Sequence, residues 1–184
     1  MPQLDQFYTK TEVAKQFVNK IKSVIDLDSF DNVIEPSAGS GNILQFLPEH
    51  NRIGLDLDPK HPEVLPMDFF DYSFPKGKTI VIGNPPFGAS SKLAIEFFNK
   101  CAQYADIIAF IVPRSWLKYY TQNRLNKDFG LYYNGILADA SFIADGKDYE
   151  VKCVAQIWSK YNLDIEDQWE NFEKSIDNNK IKQL

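Results

Sequence analysis

The stretch that decides the fold is Asn32-Val33-Ile34-Glu35-Pro36-Ser37-Ala38-Gly39-Ser40-Gly41. Four residues of strand character run into a proline and a loop of small residues, after which Ile43 to Leu47 resumes helical spacing. A strand that meets a helix through such a turn is the unit of an α/β sheet. Ligands bind at these strand C-termini, and glycines let them approach the backbone closely. The dinucleotide fingerprint G-x-G-x-x-G fails here, because Leu44 occupies its third glycine position. A nicotinamide cofactor is therefore not expected.

The same alternation continues on either side of the loop. Thr9-Lys10-Thr11-Glu12 has capping-box spacing, and Val13, Phe17, Ile21 and Val24/Ile25 follow at helical intervals, which predicts a helix over Lys10 to Val24. Downstream, strands are predicted at Arg52 to Asp56, Val64 to Asp68, Thr79 to Gly83 and Asp106 to Val112, with a helix through Leu93, Phe97 and Cys101 before the last. Continuous apolar strands need cover on both faces, and strands separated by helices imply right-handed crossovers and a parallel sheet. Leu131 to Leu137 and Val151 to Trp158 have only about a dozen residues between them, too few for a crossover helix. They are expected to pair antiparallel.

A length of 184 residues sets one domain with at most a small appendage. We divide the chain into a core over 1–160 and an acidic C-terminal helix or tail over 161–184, where six acids face three lysines. Hydrophobic residues at 44% and charged residues at 24% describe a globular chain with a real core. Cys101 and Cys153 are 52 positions apart and the histidines are only His50 and His61, so neither a disulfide scaffold nor a metal site is expected. The apolar run Ile107 to Pro113 is too short for a bilayer, and the N-terminus has no signal-peptide pattern. No membrane partner and a cytoplasmic location are the expectations.

Two further features carry chemistry. Glu35 at the strand end would repel a pyrophosphate and suit an ammonium group, which points to S-adenosylmethionine as cofactor. Asp56 closes the next strand, where a carboxylate can accept hydrogen bonds from both ribose hydroxyls, and Asp68 with Phe69 suits an adenine amine and ring. The second feature is Asn84-Pro85-Pro86-Phe87, directly after a strand. Two prolines hold the Asn84 side chain and the Pro85 carbonyl in one geometry, so that two acceptors can bind both hydrogens of a planar amine. Such an amine is a poor nucleophile because its lone pair is delocalised; the two bonds pull the nitrogen toward a pyramid. Phe87 can stack on the ring.

These residues resemble the class I S-adenosylmethionine-dependent amino-methyltransferases, in particular adenine-N6 enzymes in which the cofactor loop precedes an Asn-Pro-Pro-aromatic motif. The resemblance spans most of residues 1–160. Gln6-Phe7-Tyr8-Thr9 is similar to the family's N-terminal motif over the methionine moiety, with Lys10 where the family often has proline. Glu35 to Gly41, including Ser37 and Gly39, is similar to its first motif, Gly54 to Pro59, with Asp56 and Leu57, to its second, and Asp68-Phe69 to its third. Ile108 to Arg114, Gln122 to Leu125 and Cys153 to Trp158 are similar to compact viral or bacterial relatives, and the chain also resembles the catalytic core of cap-adenosine methyltransferases. The resemblance implies a Rossmann-like seven-stranded, mostly parallel sheet with an antiparallel last strand and helices on both faces. It implies Tyr8, Thr9, Glu35, Ser37, Gly39, Gly41, Asp56, Leu57, Asp68 and Phe69 at the cofactor and Asn84 to Phe87 at the target amine. Sequence-specific DNA relatives carry a further target-recognition region. Only 24 residues follow the core here, so a partner subunit is the expected source of sequence specificity.

The net charge of −5 argues at first against a nucleic-acid substrate, but it is unevenly distributed. Residues 114–127 contain Arg114, Lys118, Arg124 and Lys127 and no acid, a window of +4 against −9 elsewhere. Trp116, Tyr119 and Tyr120 are interleaved, which suits phosphate contact combined with base stacking. The reading is adenine-N6 methylation of a polynucleotide, DNA slightly preferred over RNA. The alternatives are protein glutamine-N5 methylation, although that motif generally ends in tyrosine, and a non-catalytic S-adenosylmethionine-binding subunit.

Overall fold

The computed structural model describes residues 7–137, 142–144 and 146–161. Gln6 and the acidic segment beyond Tyr161 lie outside them. Seven strands form one sheet: β2 (Asn32–Glu35), β3 (Arg52–Asp56), β4 (Val64–Pro66), β5 (Thr79–Gly83), β6 (Ile107–Pro113), β7 (Gly130–Ile136) and β10 (Cys153–Ser159). Their spatial order is β4-β3-β2-β5-β6-β10-β7. The pairs from β4 through to β6 are parallel, whereas β10 runs antiparallel to both β6 and β7. This is the Rossmann-like, mostly parallel sheet expected, and the Leu131–Leu137 and Val151–Trp158 runs are its antiparallel pair. The reversed strand is the last of the sheet in chain order, but it lies inside the sheet rather than at its edge.

Period-two burial explains the two layers. Val33, Ile80, Ile82, Ala109 and Ile111 face α1 (Thr11–Val24), which buries Ala14, Phe17, Val18 and Ile21. The alternate residues Ile34, Val81, Ile108, Phe110 and Val112 face α2 (Lys92–Cys101) and its Ala94, Phe97 and Phe98. Phe98 is the centre of this second layer, with Phe110, Trp116, Phe129 and Trp158 edge-on at 5.5–6.4 Å. Both cysteines are buried among these apolar groups, and burial pushes the Cys153 thiol up to about 12. No helix among the described residues is long and apolar enough to cross a membrane.

Several local expectations differ from the structure. The helix predicted from Ile43 to Leu47 is a single 3-10 turn, Leu44–Phe46. Only ten residues separate Gly41 from Arg52, and the Arg52 guanidinium donates to the Leu44 and Leu47 carbonyls while pairing with Glu63, which satisfies this turn without further helix. The β2-to-β3 crossover therefore lacks a helix. The third strand stops at Pro66, and Asp68 instead caps the turn Phe69–Asp71 by accepting from the Phe70 N–H. Thr9 does not cap α1, whose N-cap is Lys10 without a side-chain bond. It lies in β1 (Tyr8–Thr9), a strand not anticipated, which joins β8 (Phe142–Ala144) and β9 (Lys147–Tyr149) in a small antiparallel sheet. An ion pair of 2.9 Å between Lys10 and Asp148 fastens this sheet to the start of α1.

Candidate functional site

The order β4-β3-β2 on one side and β5-β6 on the other makes β2 and β5 the point where the chain reverses its direction of travel across the sheet. Parallel sheets open a crevice outside the strand C-termini at such a point. A cavity of about 400 Å³ occupies it, within the size range of small-molecule sites. Glu35, Asp56 and Asn84 reach it from the ends of β2, β3 and β5, and β1 closes it from the N-terminal side with Tyr8 and Thr9. Ser37, Gly39, Leu57, Asp68, Phe69, Pro85, Pro86 and Phe87 are also on its walls.

Gly41 is not on the cavity wall; with φ +75° it turns the loop, and His61 covers it so closely that a Cβ would come within 2.8 Å of the ring. Gly39, at φ +49°, lies beneath Tyr8, where a Cβ would come within 2.9 Å of Cε1. Its N–H donates to Asp56 Oδ2 at 2.8 Å, and the Asp58 N–H donates to Oδ1 at 2.9 Å. Asp56 thus ties loop to strand with one lone pair spent on each oxygen. Burial, with Asp56 and Asp58 nearby, raises the Tyr8 phenol despite the opposing effect of Lys60.

Among the described residues, four carboxylates stand on the cavity wall, those of Glu35, Asp56, Asp58 and Asp68, and no lysine, arginine or histidine does. Glu35 is only 2% exposed, and its Oε2 has no hydrogen-bond partner among the described residues. Desolvation holds this carboxyl well above its ordinary value of 4.5, opposed by a hydrogen bond from the Leu44 backbone and reinforced by Asp56. Such a wall favours a cationic ligand and disfavours a phosphate.

The Asn84 side chain is fixed from the lid. Its Nδ2 donates to Thr9 Oγ1 at 3.2 Å and to the Phe7 carbonyl at 3.4 Å. Its Oδ1 is buried and has no partner among the described residues, leaving a preoriented acceptor. The Asn84 carbonyl accepts from Ser37 Oγ at 2.9 Å, so loop and tetrapeptide are bonded to each other. Sequence reasoning missed the bond from Asn84 Nδ2 to Thr9 because Thr9 has the spacing of a helix cap. Phe7, Asn42, Met67, Phe70 and Phe97, which complete the walls, carry no motif of their own beyond Phe7. Asn42 Nδ2 donates to the Thr9 carbonyl at 2.7 Å, a second clasp between the loop and β1.

No family model and no curated protein matches this sequence. Solved structures do match in three dimensions. A candidate RNA methyltransferase of Pyrococcus horikoshii aligns with a TM-score of 0.68 at 17% identity, over 86% of this chain and 88% of that one. The 23S rRNA methyltransferase ErmE aligns at 0.59 and 13%, over 86% and 71% of the two chains. A dimethyladenosine transferase from Plasmodium falciparum aligns at 0.55 and 16%, over 84% and 63%. The chain shares the Rossmann-like fold of these structures.

The basic window is outside the cavity, beginning where β6 ends. Lys118, Arg124 and Lys127 are exposed and Arg114 is half-buried. Lys127 Nζ is committed to Asn123 Oδ1 and the Gln122 carbonyl at 2.9 and 3.3 Å. Trp116, read as a stacking residue, is instead fully buried against Phe98, because the second layer needs its area. Tyr119 and Tyr120 are exposed.

Proposed function

We propose that the chain is an S-adenosylmethionine-dependent methyltransferase acting on the N6 amine of adenine in a polynucleotide. The observation that carries this reading is the Asn84 Oδ1 acceptor, buried and uncommitted among the described residues beside Pro85 and Pro86, in a cavity walled by carboxylates. The donor set suits the cofactor. Glu35 would take its ammonium group, the spare lone pairs of Asp56 its ribose hydroxyls, and Asp68 with Phe69 its adenine. When bound, S-adenosylmethionine supplies an electrophilic methyl group.

The residues of the chain then act on the target. Asn84 Oδ1 and the Pro85 carbonyl accept the two amine hydrogens, and Phe87 holds the ring plane by stacking. The nitrogen lone pair, localised by those bonds, would form the new bond to the methyl carbon as that carbon's bond to sulfur breaks, with S-adenosylhomocysteine as the leaving group. The extra proton of the resulting cationic amine would then pass to solvent, so a strong general base is unnecessary. Three of the fold's neighbours carry RNA or adenosine methylation in their names, so RNA stands beside DNA as a substrate.

Labelled S-adenosylmethionine offered with DNA, RNA and protein pools tests the proposal. The expected product, after digestion to nucleosides, is N6-methyladenine. Label found in protein glutamine alone overturns it in favour of N5 methylation, and no transfer to any pool despite cofactor binding leaves the binding-subunit reading.

A further inference from the structure

We propose that Tyr119 and Tyr120, with Arg124, form a platform for unpaired nucleotides, so that the polynucleotide this protein takes is a single strand. The inference rests on the polynucleotide reading above and adds the strandedness of the substrate and the residues that select it.

The first observation is the division of labour within residues 116–129. Trp116, Leu125 and Phe129 are 0%, 3% and 6% exposed and meet the apolar demand of the second layer. Tyr119 and Tyr120 are 82% and 75% exposed, the highest values among the large apolar side chains of the described residues. They contribute nothing to the core. The second observation is charge. No acid interrupts the four cations from Arg114 to Lys127 in a chain that is otherwise acidic, and the Arg124 guanidinium carbon stands 5.9 Å from the Tyr120 ring centroid. Cation and ring together suit a phosphate followed by a base.

The third observation is rigidity. Gln122 Nε2 donates to the Trp116 carbonyl at 2.9 Å, and Asn99 on α2 holds both ends of the turn after the tyrosines, through the Arg124 carbonyl at 3.0 Å and the Asn126 N–H at 2.8 Å. Ser115 Oγ meets Ser91 Oγ at 3.1 Å, joining this segment to the one that leaves Asn84-Pro85-Pro86-Phe87. β6 and β5 are parallel neighbours, so the platform starts on the same rim of the sheet as the cavity. A preformed surface loses little entropy on binding.

An unpaired strand is the polynucleotide that fits. Bases in a duplex are stacked on both faces and offer side chains only groove edges and phosphates, whereas an unpaired base presents a whole π-face to an aromatic ring. Four cations in one short window match a short backbone track rather than the broad footprint of a duplex binder. An unpaired adenine also enters the cavity without the unpairing that a flipped base requires.

The test uses the full chain and labelled strands of about 12 nucleotides, RNA and DNA, each with one central adenine and each also annealed to its complement. Fluorescence anisotropy is expected to show tighter binding of the single strands than of the duplexes. Tyr119→Ala and Tyr120→Ala are each expected to weaken single-strand binding by roughly fivefold or more, the loss for one stacked base. Tyr119→Phe and Tyr120→Phe keep the ring and keep binding. Affinity for S-adenosylhomocysteine, measured on the same variants, stays unchanged and shows that the fold is intact. Duplexes bound as tightly as single strands, or alanine variants that bind single strands like the parent, overturn the platform while leaving methyl transfer to adenine standing. Binding of no oligonucleotide together with transfer to protein overturns the polynucleotide reading itself.

Discussion

On the proposed reading, Glu35 makes cofactor binding a proton-coupled event. Its carboxyl is almost wholly buried, accepts one backbone hydrogen bond and leaves Oε2 bare, so without a ligand its protonated form persists well above 4.5. The native state therefore holds a proton that the unfolded chain releases at 4.5. Glu35's contribution to the stability of the ligand-free protein falls as pH rises from 4.5 through the raised value and is level on either side. An ammonium group placed beside the carboxylate reverses the preference and expels up to one proton. Affinity for S-adenosylhomocysteine, which keeps the ammonium, should then rise by up to about tenfold per pH unit across that window, about 1.4 kcal/mol per unit, and level off above it. Calorimetric titration in buffers of different ionisation enthalpy counts the released proton directly. In Glu35→Gln the release vanishes and the pH slope flattens. Loss of a charge-assisted bond worth about 1.5–3 kcal/mol should lower affinity on the high-pH plateau by roughly tenfold or more. Buffer-independent binding enthalpies in the parent, or a glutamine variant that binds equally well on the plateau, would refute this account of Glu35.

Other predictions separate the remaining parts of the site. Asn84→Ala should keep S-adenosylhomocysteine affinity within a few-fold while abolishing turnover; equal loss of both in parallel assays would make Asn84 structural. Thr9→Val leaves Asn84 Nδ2 with only the longer Phe7 bond, and the missing hydrogen bond of about 0.5–1.5 kcal/mol should lower kcat by roughly two- to tenfold, with Thr9→Ser restoring it. Gly39→Ala should lower unfolding free energy by about 1–2 kcal/mol for the left-handed backbone, and by more because Tyr8 must move. Gly146→Ala, at φ +73° with nothing within 4 Å, supplies the backbone cost alone in the same denaturation assay. Reversing Lys118 and Arg124 to glutamate should weaken polynucleotide binding and reduce the salt slope by about 0.7 for each phosphate that the chain no longer neutralises, read from affinity at several salt concentrations.

The sheet was readable because its strands are short, continuous and apolar, and because the dozen or so residues between the two late strands are too few for a crossover helix. The cavity was readable where a chemical group must stand at a strand end, as Glu35, Asp56 and Asn84 do. What escaped depends on contacts between distant segments. The two-residue strand β1 has no periodicity, and it exists through Tyr8 and Thr9 pairing with Ile143 and Phe142 from the far end of the sheet region. Thr9 has the local spacing of a helix cap, yet a tertiary partner, Asn84, takes its hydroxyl. Ile43, Leu44 and Leu47 bury equally well on one 3-10 turn as on a helix, and Arg52 decides between them by bonding the turn's carbonyls. Trp116 belonged to the core and its neighbours Tyr119 and Tyr120 to the surface, a distinction that composition does not make.

The place of β10 has a consequence for how the molecule assembles during synthesis. β7 touches the sheet only through β10, and β6 has β10 as its outer neighbour. All seven residues of β10 are buried. As the chain leaves the ribosome, β2 to β6 can form a ribbon with the cavity already outlined, but β7 must wait unattached until the segment after it inserts. Until then β6 is an open apolar edge, the form in which such a chain is most prone to self-association. A stall or cleavage between β7 and β10 would therefore release a five-stranded partial sheet with an exposed apolar edge, which the insertion of Cys153–Ser159 normally covers.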